Sequence, residues 1–250
     1  MTVKKFTVQS PYLSDLSYSN YSSDDSDAEE DTDSDVEDTD RCLVIDTPAF
    51  TYLDIDDYSA DFFLIENKPN CCEQVCVNLH WSFPDIDKFF RSFSAVLFLE
   101  LNLNEKMIVC FSTIKFSRLT KCKILPGDTD WMDSLVSFLQ NTPKLKFLTV
   151  DYLFTHQPPD ASISWSESSY DPECLSSSLE KFELKNYGGR KEEKELVEYI
   201  LTTSRCLKTA IISLSLSKLE DKDTTIEELK AIPRVSLTSQ LFLKNDELSV

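Results

Sequence analysis

Leu145-Lys146-Phe147-Leu148-Thr149-Val150 and Leu179-Glu180-Lys181-Phe182-Glu183-Leu184 are written to one rule. A large apolar residue is followed three positions later by a second and two positions after that by a third. The same beat runs at Leu13/Leu16/Tyr18, Phe50/Leu53/Ile55, Cys72/Val75/Val77, Leu119/Cys122/Ile124 and Leu207/Ala210/Ile212, with a further start at Ala95/Phe98. From Phe50 on, the starts lie 22, 23, 24, 26, 34 and 28 residues apart. That is the period of an L-x-x-L-x-L unit, one strand plus a return segment per repeat. The fold class expected is α/β: a leucine-rich-repeat-like solenoid of parallel strands with helical or irregular returns. Stacked repeats mostly bind other macromolecules along their strand face, so the beat points to a binding protein.

Composition narrows the function classes. Of 250 residues 41% are apolar and 11% aromatic, enough for a continuous core, while three glycines leave little room for phosphate-cradling loops. Residues 22–40, SSDDSDAEEDTDSDVEDTD, hold eleven of the 44 carboxylates and no base. The remainder carries 33 acids against 25 bases, about −8 of the net −19. Neither part offers the basic face that nucleic acid requires. Eight cysteines are too sparse for a disulfide scaffold. Cys72, Cys110 and Cys122 fall at apolar positions, as buried free thiols of a reducing compartment do. No apolar run is long enough for a membrane span, and the N-terminus is no secretory signal. The expected location is the cytoplasm or nucleus.

Three regions follow. Residues 1–153 form the repeat region, interrupted by an acidic insert at 20–41 whose low hydrophobicity and like charge predict a disordered surface loop. Residues 154–171, with much serine and the prolines Pro158 and Pro159, form a connection. Residues 172–245 form a C-terminal module. Helical returns are predicted at Pro84–Phe93 from the Ile86, Phe89, Phe90, Phe93 stripe, and at Asp128–Asn141 with Asp130 as cap. Others are predicted at Arg190–Ser204, with Leu196, Val197, Ile200 and Leu201 inward and Glu192, Glu193, Lys194 and Glu198 on the polar side, and at Thr224–Ile232. A last strand is expected within Ser236–Leu243. Nothing before the first beat reads as a cap, so the expected origin is the rear part of a longer ancestral protein.

The sequence assigns no catalytic, cofactor-binding or metal-binding residues. His80 ends an alternating run and reads as a strand residue; the other histidine is His156. Cys71, Cys72, Cys76 and His80 make a cysteine–histidine string, but strand alternation holds its members too far apart to share one zinc ion, and no second C-x2-C pair completes a tetrahedron. Gly188-Gly189 reads as a tight strand-to-helix turn needing a positive φ. Asp56/Asp57 read as solvated turn acids.

The stretch Pro172-Glu173-Cys174-Leu175-Ser176-Ser177-Ser178-Leu179-Glu180-Lys181-Phe182 resembles the opening of the FBD domain of plant F-box/FBD/LRR-repeat proteins. The likeness continues through Tyr187-Gly188-Gly189-Arg190, Glu192-Glu193-Lys194-Glu195-Leu196, Tyr199-Ile200-Leu201 and Arg205-Cys206-Leu207-Lys208. Pro233-Arg234-Val235-Ser236 through Gln240-Leu241-Phe242 is similar to that domain's closing strand, with Ser239 where many relatives have cysteine. Upstream, Val44-Ile45-Asp46-Thr47-Pro48, Tyr52-Leu53 and Phe63-Leu64-Ile65-Glu66-Asn67 are similar to the family's repeat part. The resemblance implies an FBD cap on the array and a substrate-holding repeat surface. In that family an F-box recruits the Skp adaptor of a cullin-type ubiquitin ligase. No F-box-like segment precedes the first repeat, so the resemblance carries no adaptor-docking role onto a residue of this sequence.

The reading is therefore a non-catalytic protein-binding module with an unknown protein partner on its repeat surface. The alternatives are a ligase subunit that docks through a divergent or separately supplied F-box, and a decayed duplicate. The outward strand positions Thr51, Asp54, Lys144, Lys146, Thr149, Lys181, Glu183 and Lys185 are mixed in charge and name no ligand class.

The acidic run also holds candidate phosphoacceptors. Ser22, Ser26, Thr32 and Ser34 each precede a carboxylate by three residues, the pattern of acidophilic, casein-kinase-like substrates. Each phosphate would add about −1.5 to −2 charges. The alternative is an inert solubilising loop. Intact-mass measurement on protein from plant cells is expected to show phosphate within residues 22–34; an unmodified mass under every condition leaves the inert loop.

Overall fold

The computed structural model describes residues 4–20, 41–58, 62–67, 69, 72–79, 85–103, 107–127, 131–152, 171–215, 219 and 221–245. Expectations for residues 21–40, 128–130 and 154–170, and for Cys71, His80 and His156, lie outside them. The chain is α/β with parallel sheets and divides into two compact units, Met1–Phe93 and Ser94–Val250.

In the first unit the beats become strands β2 (Asp15–Asn20), β4 (Tyr52–Asp57) and β6 (Gln74–Leu79), paired in parallel in the order β2-β4-β6. The second and third apolar positions of the later two beats point inward, with Leu53, Ile55, Val75 and Val77 all buried. The returns differ from the helical or irregular expectation. They include strands β3 (Arg41–Asp46) and β5 (Phe62–Ile65), which with β1 (Lys4–Gln9), ahead of the first beat, form a second parallel sheet in the order β1-β3-β5. Leu43-Val44-Ile45 and Phe63-Leu64-Ile65 are short, β-branched or aromatic runs, which suit strands and lack the length for a helix. The predicted helix at 84–93 is α1 (Ile86–Ser92). Phe89 meets Phe63, Phe90 and Phe93 at centroid distances of 5.9, 5.3 and 5.1 Å. Phe63 also meets Tyr18 of β2, edge-on at 5.7 Å. This aromatic cluster ties both sheets of the unit to its helix. Asp57 is a correction: β4 runs through it, its inward phase buries it, and it is no solvated turn acid. Asp56 faces outward and accepts from Asn78 Nδ2 at 2.9 Å.

The second unit alternates strand and helix: β7 (Phe98–Leu103), α2 (Ile108–Phe111), β8 (Lys121–Pro126), α3 (Trp131–Gln140), β9 (Phe147–Asp151), α4 (Glu173–Ser177), β10 (Lys181–Tyr187), α5 (Lys191–Thr203), β11 (Thr209–Leu214), α6 (Lys222–Ala231) and β12 (Gln240–Asn245). The six strands pair in parallel in chain order. Two ladders run across their inner side. One is Leu99, Cys122, Leu148, Phe182, Ala210 and Leu241; the other is Leu101, Ile124, Val150, Leu184, Ile212 and Leu243. All are buried except Leu241 and Leu243, which are half-buried. The helices lay apolar stripes over them: Trp131, Leu135, Phe138 and Leu139 from α3, and Leu196, Val197, Ile200 and Leu201 from α5. The beat placed at Ala95/Phe98 belongs one residue on, at Val96/Leu99/Leu101, which are the buried positions.

One backbone motif recurs at the spacers of the beat. The N–H groups of Thr120 and Lys121 both donate to the carbonyl of Leu97, those of Lys146 and Phe147 to Thr120, and those of Glu180 and Lys181 to Lys146. Lys208 and Thr209 donate likewise to Glu180, and in the first unit Thr51 and Tyr52 donate to Ser14, and Glu73 and Gln74 to Thr51. In each of these six beats the two spacer N–H groups thus converge on the first spacer carbonyl of the beat before.

Leu148 sits mid-ladder between β8 and β10, and its neighbour Thr149 faces outward. Leu148→Ala is expected to lower stability by about 2–5 kcal/mol through lost burial and a residual cavity. Thr149→Ala is expected to change it by roughly 0.5 kcal/mol or less. Urea unfolding midpoints compare the two, and equal losses would contradict the assignment of faces.

Candidate functional site

With the inner ladders committed to the core, the outer side of each strand is what the fold offers a ligand. In the second unit the register sets Glu100, Lys123, Thr149, Glu183, Ile211 and Phe242 side by side. A flanking row holds Phe98, Lys121, Phe147, Lys181, Thr209 and Gln240. In the first unit Ser17, Asp54 and Cys76 align in the same way.

Local electrostatics grade the second unit's outer face. On the β7–β9 side, Lys123 Nζ lies 2.7 Å from Glu100 Oε1 and 3.8 Å from Asp151 Oδ2. Asn186 Nδ2 donates to Asp151 Oδ1 at 2.7 Å. Asn186 can do so because β10 bulges between Leu184 and Tyr187 and places it at φ 59, the left-handed region that asparagine tolerates. Lys121 Nζ stands 5.7 Å from the centroid of the Phe147 ring. At the strand starts, Glu180 bridges Lys208 at 2.6 Å and Lys146 at 3.9 Å, and the Lys208 hydrogen bond holds its carboxyl below the usual value. Toward β12 the face turns apolar and cationic. Phe242 is 44% exposed beside Ile211. Lys185 and Lys244 form no ion pair among the described residues.

Of the expected outward positions, Asp54, Thr149, Lys181, Glu183 and Lys185 lie on strands and off the core, while Thr51, Lys144 and Lys146 are exposed just ahead of strands. Lys181 pairs with Glu183 at 3.2 Å. Sequence reasoning missed Glu100, Lys123, Asp151, Asn186, Ile211 and Phe242. The usable signal was the middle position of each L-x-L, which four of the six occupy.

The candidate phosphoacceptors Ser22, Ser26, Thr32 and Ser34 lie outside the described residues. In the cysteine–histidine string, Cys72 is buried and Cys76 lies in β6. Among the described residues, no three His, Cys, Asp or Glu side chains are grouped to hold a metal ion. Burial pushes the thiols of Cys72 and Cys174 up to about 12 and that of Cys122 well above its usual value, which suits core packing. Cys110 is buried too, as its place in the sequence implied.

A second feature corrects the reading of α5. Glu192 and Glu193 are buried, not on the polar side. Gly189 takes φ +82 and swings the chain into the helix. Glu193 then reaches back so that Oε2 accepts the N–H groups of Gly188 at 2.7 Å and Arg190 at 3.1 Å. This is the return half of a capping box, with the carboxylate near the positive end of the helix dipole. Glu192 lies 3.9 Å from Arg190. Burial nevertheless dominates and raises the Glu193 carboxyl from 4.5 to about 7, against the lowering pull of the two backbone donors.

With this geometry in view, comparison with known proteins places the chain. Residues 167–212 match the FBD family, a span that takes in α4, β10, α5 and the start of β11. The chain is 43% identical over 249 residues to an FBD-associated F-box protein of Arabidopsis thaliana, covering 97% of this chain and 54% of that protein. It is 40% identical to an F-box/FBD/LRR-repeat protein of the same plant, over 98% of this chain and 52% of that protein. A further F-box/FBD/LRR-repeat protein of that plant is 34% identical over 80% of this chain and 48% of its own length. The chain thus spans about half the length of the curated relatives it matches. No solved structure matches it.

Glu193 gives a pH signature. Its folded value lies above its unfolded one, so the folded state binds the extra proton between about pH 4.5 and 7. Its contribution to stability is full below that window and is lost as pH rises through about 7, an effect of up to ~3 kcal/mol. Glu193→Gln keeps the acceptor and removes the titration. The difference in unfolding free energy between wild type and this variant is expected to shift between pH 5 and pH 8 in the variant's favour. A difference that stays flat would disprove the buried cap.

Proposed function

This chain belongs to the FBD-bearing F-box/LRR-repeat family, and on that premise we propose that it is a non-catalytic protein-binding module. Its repeats act as a leucine-rich-repeat-like solenoid, residues 172–245 cap the array, and the outer strand face receives the partner. The observation that carries this reading is the in-register row Glu100–Lys123–Thr149–Glu183–Ile211–Phe242. It offers charge, hydroxyl and apolar surface at fixed strand spacing on a rigid backing, the kind of mixed face that protein interfaces use. The reading includes no nucleic-acid or membrane partner. The net charge of −19 speaks against the former, and no described helix is long and apolar enough to cross a membrane. Buried thiols fit a reducing compartment, the cytoplasm or nucleus.

A second reading is a subunit of a cullin-type ubiquitin ligase, which the relatives' F-box names favour. Direct binding of the chain to a purified Skp adaptor would support that role. Absence of binding at micromolar concentration would leave the recognition module alone.

The test of the leading reading is affinity purification from plant tissue with wild type, the face variant Thr149→Arg and the helix-side control Glu198→Arg. Partners recovered with wild type and control are expected to fall roughly tenfold or more with Thr149→Arg, as for a central interface contact. Equal recovery with all three would move recognition off the strand face. Recovery of nothing specific by any of them would favour the decayed duplicate.

A further inference from the structure

Five of the six strands in the second unit have both inner apolar positions covered, and β12 does not. Leu241 and Leu243 are half-buried and, with Ile226, line a groove of about 410 Å³ whose rim carries Lys230 and Arg234. Among the described residues no acidic side chain lines it. On the outer side of the same strand Phe242 is exposed, and just before the strand Leu237 is 99% exposed.

The strand's free side is also a row of hydrogen-bonding groups. β12 pairs with β11 on one side and ends the row. The N–H of Gln240 donates to Lys208 O at 2.9 Å, which sets the phase of the ladder. In a parallel strand the N–H and C=O of one residue point to the same side, and successive residues alternate. Gln240, Phe242 and Lys244 therefore serve β11, and Leu241, Leu243 and Asn245 turn their backbone groups to the open edge. An edge of this kind is a template for another strand.

From these observations we infer that the β12 edge is a strand-addition site for an extended segment of a partner protein in which apolar residues alternate with acidic ones. An added strand would set every second side chain over Leu241, Leu243 and Ile226, and its backbone would satisfy the edge groups. The choice of an acidic segment rests on charge. Lys230 and Arg234 flank the groove and Lys244 stands on the outer side; among the described residues neither Lys230 nor Lys244 has an ion pair, and Arg234 Nη1 spends one donor on Ser239 O at 3.2 Å. A second copy is the poorer occupant, because its own edge strand, Gln240–Asn245, brings Lys244 and no acidic residue. This surface is distinct from the outer strand face, so either inference can fail without the other.

The test uses the full chain and two labelled peptides with blocked ends, followed by fluorescence anisotropy. One alternates Leu and Val with Asp and Glu; the other carries Lys at every acidic position. The acidic peptide is expected to bind at least about tenfold tighter than the basic one, an advantage that shrinks with added salt. Lys230→Glu with Arg234→Glu is expected to erase or reverse that preference. Asn245→Pro removes one edge N–H, spares the β11 ladder and leaves the groove lining intact, a change that edge strands tolerate. It is expected to weaken the acidic peptide while the urea midpoint stays unchanged. Equal binding of both peptides, binding of neither, or binding indifferent to both sets of variants would overturn the inference. So would self-association in sedimentation velocity that Asn245→Pro abolishes while no peptide binds, since the occupant would then be a second copy.

Discussion

One carbonyl per repeat anchors the fold. In six beats, two in the first unit and four in the second, the two spacer N–H groups donate to the first spacer carbonyl of the beat before. Two donors on one oxygen use both its lone pairs and fix where the next strand starts. This explains why the beat has two spacers ahead of the second apolar residue and only one after it. The first gap is the staple, and the second is the strand's ordinary alternation. It also explains why unequal repeats coexist. The return from Val150 to Leu179 is longer than that from Ile124 to Leu145, yet both arrive at a stapled strand start. Return length is free because the staple, and not the return, sets the register.

The staple also marks what was legible in the sequence. All eight beats are strands, and the helical stripes at 84–93, 128–141 and 190–204 are α1, α3 and α5. Those features are local, carried by periods of two and 3.6 along the chain. The error at Ala95 shows the limit. Around Ala95-Val96-Leu97-Phe98-Leu99 every residue is apolar, so hydrophobicity alone accepts either frame. Only the carbonyl of Leu97, which accepts from Thr120 and Lys121, decides for Val96. The return strands β3 and β5 escaped for a related reason. Short apolar runs carry no period, and the pairings of β3 with β1 and of β5 with β3 join residues far apart in sequence.

The outer face was the least legible part, and the reason is again register. Glu100, Lys123 and Asp151 converge although they come from three different beats, and their meeting depends on the staples between. Glu193 was misplaced for a different reason. A helical wheel assigns a glutamate at that position to solvent, and Arg190 is not a residue that announces a capping box. The turn through Gly189 at φ +82 brings two backbone N–H groups to the carboxylate, and that geometry is invisible to a residue-by-residue scale.

The family match and the outer row overlap in sequence but lie on different sides of the sheet. Within residues 167–212, much of the motif string is buried: Cys174, Leu175, Leu179, Phe182, Tyr187, Glu192, Glu193, Leu196, Ile200 and Leu207. These build the helix cap, the inner ladder and the cover over it. Glu183, Lys185, Thr209 and Ile211 in the same span turn outward and are constrained only to be compatible with a strand. A match of this kind therefore reports the scaffold. Two relatives sharing every buried position could present different faces, because the inner ladder fixes spacing while the outer row fixes chemistry. The outer row is least neutralised at Ile211, Phe242, Lys185 and Lys244. There the ion pairs that quiet the β7–β9 side give way to exposed apolar surface and to lysines without an ion pair among the described residues.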